Sequence, residues 1–499
     1  MPRFMLKAFV LKAVLPPLAL VPLLMGGCTE RAQASAQASQ ASPIQPAPRL
    51  LEYGWDMPTP SQLARAEALL DASPFDGLTL RMSAGQQIFR QGGLDEASVQ
   101  ADVKILQGVR SPKLQDSYLS MYGGSGDGWD WFDDAQWATA ERSARLMARA
   151  AKAAGLRGIN FDMEPYQNNP WQYAAQAAAG QHDFEAYQTK IRARGRAFVR
   201  AVQSEYPGLQ IYTLFLMWAE SGDLEGGPPP AELQRRLQDA GYGLWPAFVN
   251  GMLEGADRRT SFVEGNESAY YYLHAAQFQG AEKDIKTSLL PLVDPRNRAR
   301  YARQVQVGSA VFADGLMNLW KSPRFCGYYL KNEAERAALL QHNVYHALRH
   351  SQGPVWFYNE NMNWWKSGQA GGRVPANVVQ ALSEAKRKLA AGSPLDLDLG
   401  FLPAAEAACN AKVSVGGDLN EGSAGVQGVK FRVDGVVSEE ATDPFCTTWN
   451  AGRRYGCTFP GGWSGTVAPV AEGKTFDPPE RRFSNLSKDD WQAQFTVKP

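Results

Sequence analysis

The stretch Arg157-Gly158-Ile159-Asn160-Phe161-Asp162-Met163-Glu164-Pro165 places polar side chains at every second position. Read as a strand, it puts Asn160, Asp162 and Glu164 on one face and Ile159, Phe161 and Met163 on the other. Two neighbouring carboxylates repel each other, so one of them holds its proton above the ordinary carboxylate range. That is the state a general acid needs near neutral pH. Phe161 and Trp171 are expected to supply apolar surroundings that add to this rise. The competing reading is a structural acid pair neutralised by Arg81, at the end of another predicted strand. Glu264 and Glu267 form a second constellation, at a strand end beside Tyr270, Tyr271, Tyr272 and His274. Asp56, Asp314, Tyr358 and Glu360 stand at further strand ends. Trp55, Trp218, Trp356 and Trp364 are natural floor residues, because the apolar faces of sugar rings stack on indoles. Arg81, Asn160, Tyr166 and Tyr271 complete the residues expected to touch a bound saccharide.

Positioning these residues requires strands whose ends converge. Short apolar runs recur at 50–56, 77–82, 117–123, 158–164, 209–218, 261–272, 308–317 and 354–361, separated by Ala/Leu/Arg/Glu-rich helical patterns. Eight strand–helix alternations over 49–395 predict an α/β fold of the (β/α)8 TIM-barrel type, whose catalytic mouth lies at the C-terminal ends of the strands. The segment exceeds the ~250 residues typical of that fold, so extra length is expected in the loops 123–135, 165–182 and 219–260. No Gly-rich phosphate turn follows the first strand, which disfavours a doubly wound sheet. Beyond the barrel lies an accessory region over 405–499, of which 411–499 is poor in helical periodicity and rich in Gly, Thr and Val. Strand-like pieces separated by frequent turn residues predict a small β-sandwich accessory domain.

Composition narrows the partners. Lys plus Arg and Asp plus Glu both number 51, so there is no global basic field for nucleic acid. Many of the 14 Trp and 18 Tyr must build core, and a surplus of them near loop ends is also what a saccharide cleft needs. His342, His346 and His350 lie four apart on one predicted helix, but that helix belongs to the outside of a barrel and carries no HExxH-type Glu. No metal and no cofactor is expected. Arg3 and Lys7 precede an apolar run from Ala8 to Met25 that ends in Gly26-Gly27-Cys28. This reads as a secretion signal over 1–28. An Ala/Ser/Gln/Pro-rich tether follows over 29–48. An exported chain permits disulfides, and Cys446 with Cys457, bracketing a turn-like stretch, form the preferred pair. Cys326 and Cys409 could form a second.

Three resemblances extend this reading. The N-terminal segment resembles the bacterial lipoprotein signal, which implies lipidation of Cys28 and a place in the cell envelope. The stretch Gly-Trp-Ser-Gly-Thr-Val from Gly462 through the closing Gln-Phe-Thr at 494–496 resembles an immunoglobulin-like module appended to exported bacterial enzymes. Gly158, Asp162 and Glu164 match the strand-four signature D-G-x-D-x-D-x-E of chitinase-like glycoside hydrolases; Arg157 and Asn160 stand where that pattern has Asp. This last resemblance implies that Glu164 protonates a glycosidic oxygen and that Asp162 orients the substrate. A two-carboxylate mechanism would add Glu264 or Glu267 as nucleophile or base. The expectation is therefore a glycoside hydrolase acting on an extracellular or periplasmic poly- or oligosaccharide. The alternatives are a carbohydrate-binding surface lipoprotein with an inactive barrel, which needs stacking residues but no tuned carboxylates, and a barrel that scaffolds a protein complex and has no saccharide affinity.

Overall fold

The computed structural model describes residues 48–498 apart from 127, 167, 177, 367–373, 422–425, 427, 438–444, 450 and 451. Cys28, the signal and most of the tether lie outside the described residues, as does the side chain of Trp218. Among the described residues, no helix is long and apolar enough to cross a membrane.

The first half of the chain and beyond forms a parallel barrel. Its strands are β1 (Leu50–Gly54), β2 (Gly77–Leu80), β3 (Gln87–Phe89), β4 (Tyr118–Ser125), β5 (Gly158–Asp162), β6 (Gln210–Thr213), β7 (Ser261–Glu264), β8 (Val305–Val307), β9 (Ser309–Phe312) and β10 (Val355–Asn359). They pair in the order β8-β7-β6-β5-β4-β2-β1-β10-β9, with β3 attached to β4 as an extra strand. The two ends of this path, β8 and β9, are separated in the chain by Gly308 alone, so one interrupted strand closes the ring. A Cβ at Gly308 would lie 2.4 Å from the Pro354 carbonyl oxygen, so only glycine lets the strands meet at this break. The sequence reading anticipated one continuous strand over 308–317. Instead the strand begins earlier and gives way to a helical turn, Ala313–Leu316.

Register assigns the faces. Parallel partners on neighbouring strands point the same way, and Tyr118↔Gly158, Ser120↔Asn160, Tyr122↔Asp162 and Asn160↔Tyr212 run around the inner wall. Tyr53, Trp356 and Tyr358 share that wall: Tyr53 meets Trp356 edge-on at 5.3 Å. Phe161 points outward and stacks on Phe198 of the helix Phe184–Glu205 at 4.9 Å. Large aromatic rings thus fill both the lumen and the layer between strands and helices, which explains the aromatic surplus.

The segment 219–260, expected as loop, contains two helices, Pro230–Asp239 and Trp245–Gly255. The second packs closely on Phe184–Glu205, because Gly195 and Gly251 let the backbones approach. Added Cβ atoms there would lie 2.1 Å from the Phe248 carbonyl oxygen and 2.0 Å from that of Arg192.

The C-terminal region forms two sheets. Strands β11 (Val413–Asn420), β14 (Cys446–Trp449), β15 (Arg454–Phe459), β17 (Phe476–Asp477) and β19 (Phe495–Val497) make one of them. Strands β12 (Lys430–Val433), β13 (Val436–Val437), β16 (Gly465–Val470) and β18 (Arg481–Phe483) make the other. Phe431 stacks on Tyr455 across the space between them, in a core separate from that of the barrel. Cys446 and Cys457 are direct partners on β14 and β15 and are disulfide-bonded. Cys326 and Cys409 are also bonded, tying the turn Cys326–Tyr329 to the helix Leu402–Asn410 that leads into the sandwich. Arg324 adds a hydrogen bond to the Cys446 carbonyl, 2.9 Å long.

Candidate active site

Asp162 ends β5 on the inner wall, and Glu164 follows at the rim. The turn between them is fixed from three sides. Asp162 Oδ1 accepts from the Glu164 backbone N–H at 2.9 Å. The Met163 carbonyl accepts from the Trp171 indole at 2.7 Å. The Tyr166 N–H donates to the Tyr122 hydroxyl at 2.5 Å, and the two rings stack at 5.2 Å. Tyr166 then donates its own hydroxyl to Glu164 Oε2, which sets the direction of that carboxyl. Tyr53 reaches Asp162 Oδ2 from β1 at 3.4 Å. Asp162 is 4% exposed, whereas Glu164 and Tyr166 are half-buried at the mouth.

Burial, and then the charge of Glu164, push the Asp162 carboxyl up to about 8. Burial also raises Glu164, opposed by the hydrogen bond from Tyr166. The two acids therefore share a proton at neutral pH. The apolar surroundings come from lumen residues rather than from those anticipated. Phe161 faces the outer layer, and Trp171 is fully buried with Trp245, at 4.8 Å, on that same side. Arg81 does not neutralise the pair: its side chain is exposed, and neither acid has it as a partner among the described contacts.

This proton has a measurable consequence. The unfolded chain releases it near the ordinary Asp value of 3.8, the folded chain near 8. The folded state's advantage is therefore whole below about pH 4, shrinks as pH rises towards about 8, and is level above. Asp162→Asn removes the effect while leaving an oxygen to accept from the Glu164 N–H. The variant is expected to gain on the wild type by on the order of a few kcal/mol between those limits. Urea unfolding at pH 5 and pH 8 checks this, and an equal difference at both would contradict it.

The two glutamates near β7 have different environments. Val263 is the partner of Tyr212 on the inner wall, so Glu264, the next residue, faces outward. It is fully buried, and its oxygens accept from the N–H groups of Leu216, Met217 and Asn266 at 2.8, 2.9 and 3.2 Å. Its place is the junction between the loops after β6 and β7, not the lumen. Glu267 opens the short turn Glu267–Tyr271 and is half-buried. Burial, then the charges of Glu164, Asp162 and Glu264, raise its pKa well above the ordinary range. It thus belongs to the same electrostatic group as the acid pair.

The other expected residues divide. Trp55 is 41% exposed at the rim, and its indole donates to the Tyr358 hydroxyl at 2.7 Å. Tyr358 in turn donates to Glu360 at 2.8 Å and lies parallel to Tyr270. Tyr271 is 39% exposed and stacks on Phe325. Asn160 lies on the lumen floor, with its amide donating to the Tyr212 carbonyl at 3.4 Å. Asp56 and Asp314 act instead on the loop after β10. Asp56 accepts from the Trp364 N–H at 2.8 Å beside buried Glu52. Asp314 accepts from the N–H groups of Glu360 and Asn361 at 2.8 and 2.9 Å. Trp364 is 8% exposed and packs edge-on against Phe75, and Trp356 is fully buried; both are core rather than floor. His342, His346 and His350 line an outer helix, where burial lowers their pKa values; among the described residues no group of three His, Cys, Asp or Glu could hold a metal ion.

The sequence reading missed the tyrosines that surround the acids. Tyr53, Tyr122 and Tyr212 project inward from β1, β4 and β6, and burial raises the pKa of each. They remain protonated hydroxyls at neutral pH. The signal was present in their register with Asp162 and Asn160, but register is a property of pairing and not of one strand.

No protein-family model matches the chain. No curated protein matches it either. Solved structures to which it is similar include a GH5-4 broad specificity endoglucanase from an uncultured bacterium. That pair is 13% identical, covers 66% of this chain and 86% of the other, and has a TM-score of 0.34. A β-mannanase from the blue mussel Mytilus edulis is 9% identical over 70% of this chain and 94% of its own, with a TM-score of 0.36. A GH18 chitinase from Pseudoalteromonas aurantia is 11% identical over 62% and 93%, with a TM-score of 0.29. These likenesses concern the path of the backbone, and the roles of individual residues rest on the geometry of this site.

Proposed function

We propose that this chain is a glycoside hydrolase that cleaves an extracellular or periplasmic poly- or oligosaccharide. The observation that carries the reading is the placement of Asp162 and Glu164 at the C-terminal rim of β5, inside the ring, with a raised carboxyl and Glu267 in the same field. Glu164 donates its proton to the glycosidic oxygen as the bond to the anomeric carbon breaks. Glu267, when ionised, meets the positive charge that builds on the sugar ring; a water then forms the new bond to the anomeric carbon, and its proton returns to Glu164. Asp162 holds the turn and retains the proton of the pair between cycles. Trp55 and Tyr271 offer exposed ring faces for stacking of the glycan. In the same reading Cys28 carries a lipid, the chain is held in the bacterial cell envelope, and the C-terminal sandwich is an immunoglobulin-like module that serves spacing or binding rather than chemistry.

The assay that tests this is release of reducing ends from a panel of bacterial and plant polysaccharides by the purified chain. Turnover of at least one glycan is expected. Saccharide binding with no turnover across the panel would instead favour the carbohydrate-binding lipoprotein. For the anchor, labelling with a radioactive fatty acid is expected to mark the wild type and not Cys28→Ser.

A further inference from the structure

Tyr271 stands at the mouth with one ring face covered by Phe325, 6.0 Å away and within 9° of parallel, while 39% of the residue stays exposed. Phe325 is itself wedged edge-on against Phe312 at 5.0 Å and Trp320 at 5.6 Å. Neither stacked ring sits on a barrel strand. Tyr271 ends the turn Glu267–Tyr271, and Phe325 precedes the turn Cys326–Tyr329. The ties that hold these two segments lie next to the rings in the chain. Three residues beyond Tyr271, His274 Nε2 pairs with Glu406 Oε2 at 2.9 Å. Immediately after Phe325, Cys326 is disulfide-bonded to Cys409. Glu406 and Cys409 lie three apart, hence on one side of the helix Leu402–Asn410, whose Leu402 and Ala405 are buried in the barrel's core. Immediately before Phe325, Arg324 donates to the Cys446 carbonyl of β14 at 2.9 Å. The helix that leads into the sandwich thus grips both ring-bearing segments, and the sandwich grips one of them.

We infer that this stem helix is a working part of the binding mouth: through Cys326–Cys409 and His274–Glu406 it fixes the stack of Tyr271 on Phe325, and Tyr271 then offers a sugar ring a rigid platform. A ring already held in place loses little freedom when a ligand stacks on it, whereas a mobile ring must first be ordered. The ligand that fits is a chain of flat pyranoses with equatorial substituents, β-1,4-linked glucose or N-acetylglucosamine, because their axial C–H bonds form an unbroken apolar face. Cys409 and Glu406 touch no substrate and act through Tyr271, so they are positioning residues. The inference rests on the reading of this mouth as a glycan site, and not on cleavage.

The test uses the full chain and two hexasaccharide analogues, of β-1,4-linked glucose and of β-1,4-linked N-acetylglucosamine. Sulfur replaces each glycosidic oxygen in them, so that no cleavage disturbs a calorimetric titration. The wild type is expected to bind at least one. Cys326→Ser combined with Cys409→Ser is expected to weaken that binding about fivefold or more, and Glu406→Ala about twofold, with thermal melting checking that each variant is folded. In Tyr271→Ala the same changes are expected to have no further effect, since the platform they hold is gone. In Tyr271→Phe, which keeps the ring, they are expected to weaken binding by the same factor as in the wild type. No binding of either analogue, an affinity that the cysteine substitutions leave unchanged, or a loss as large in Tyr271→Ala as in the wild type would each overturn the inference. If the cysteine variant does not fold, Glu406→Ala carries the same comparison. The oxygen-linked hexasaccharides separate the two readings. An analogue that binds in a stem-dependent way, but whose oxygen-linked form is not cut, would refute the hydrolase reading alone. Cleavage with a KM indifferent to the stem variants would refute this inference alone.

Discussion

Replacing Glu164 by Gln is expected to reduce turnover of the cleaved glycan by about a thousandfold and to leave its binding within about twofold. Gln keeps the volume of the side chain and an oxygen to accept from Tyr166. It cannot release a proton to the glycosidic oxygen. A loss confined to kcat marks an interaction made only in the transition state; a matching rise in KM would mark a binding residue instead. Turnover equal to that of the wild type would remove Glu164 from the mechanism.

Glu264→Ala and Glu267→Ala are expected to separate cleanly. The first leaves the N–H groups of Leu216, Met217 and Asn266 without the acceptor they now share. At roughly 1–3 kcal/mol for each unsatisfied buried group, partly recovered by entering water, the loss of stability is about 3 kcal/mol or more. The second removes a half-buried carboxylate that Glu164 and Asp162 repel. Its stability is expected to stay within about 1 kcal/mol of the wild type while turnover falls. Chemical denaturation of the two variants side by side makes the comparison. A stable Glu264→Ala chain, or an unfolded Glu267→Ala chain, would contradict the assignment.

That contrast shows where the sequence could be read and where it could not. A single strand suffices to deduce alternation, so Asn160, Asp162 and Glu164 could be set on one face from the order of residues alone. The barrel followed from repeated apolar runs and intervening helices, a pattern local enough to survive errors of a few residues at each end. For Glu264 and Glu267, alternation gives no answer by itself, because the strand ends between them and a short helical turn resets the direction of the second. The inner tyrosines required knowledge of which strands are neighbours. Asp56, Asp314 and Trp364 sit near strand ends, as expected of site residues, yet their oxygens and rings hold the loop after β10. A strand end near the mouth serves both loop anchoring and chemistry, and residue type alone does not separate the two. The break at Gly308 was invisible for a related reason: the glycine is needed by the strand that follows it in space, not in sequence.

The most direct test of the central claim is the pH dependence of kcat/KM on the cleaved glycan. The acid pair at the rim of β5 holds one proton at neutral pH, and Asp162 loses it near 8. The predicted profile is therefore level near neutrality and falls on the alkaline side of that value, as the proton needed by the leaving oxygen is lost. A profile that stays level from about pH 6 to about pH 10 would contradict the account, since the pair would then be no part of the step that breaks the bond.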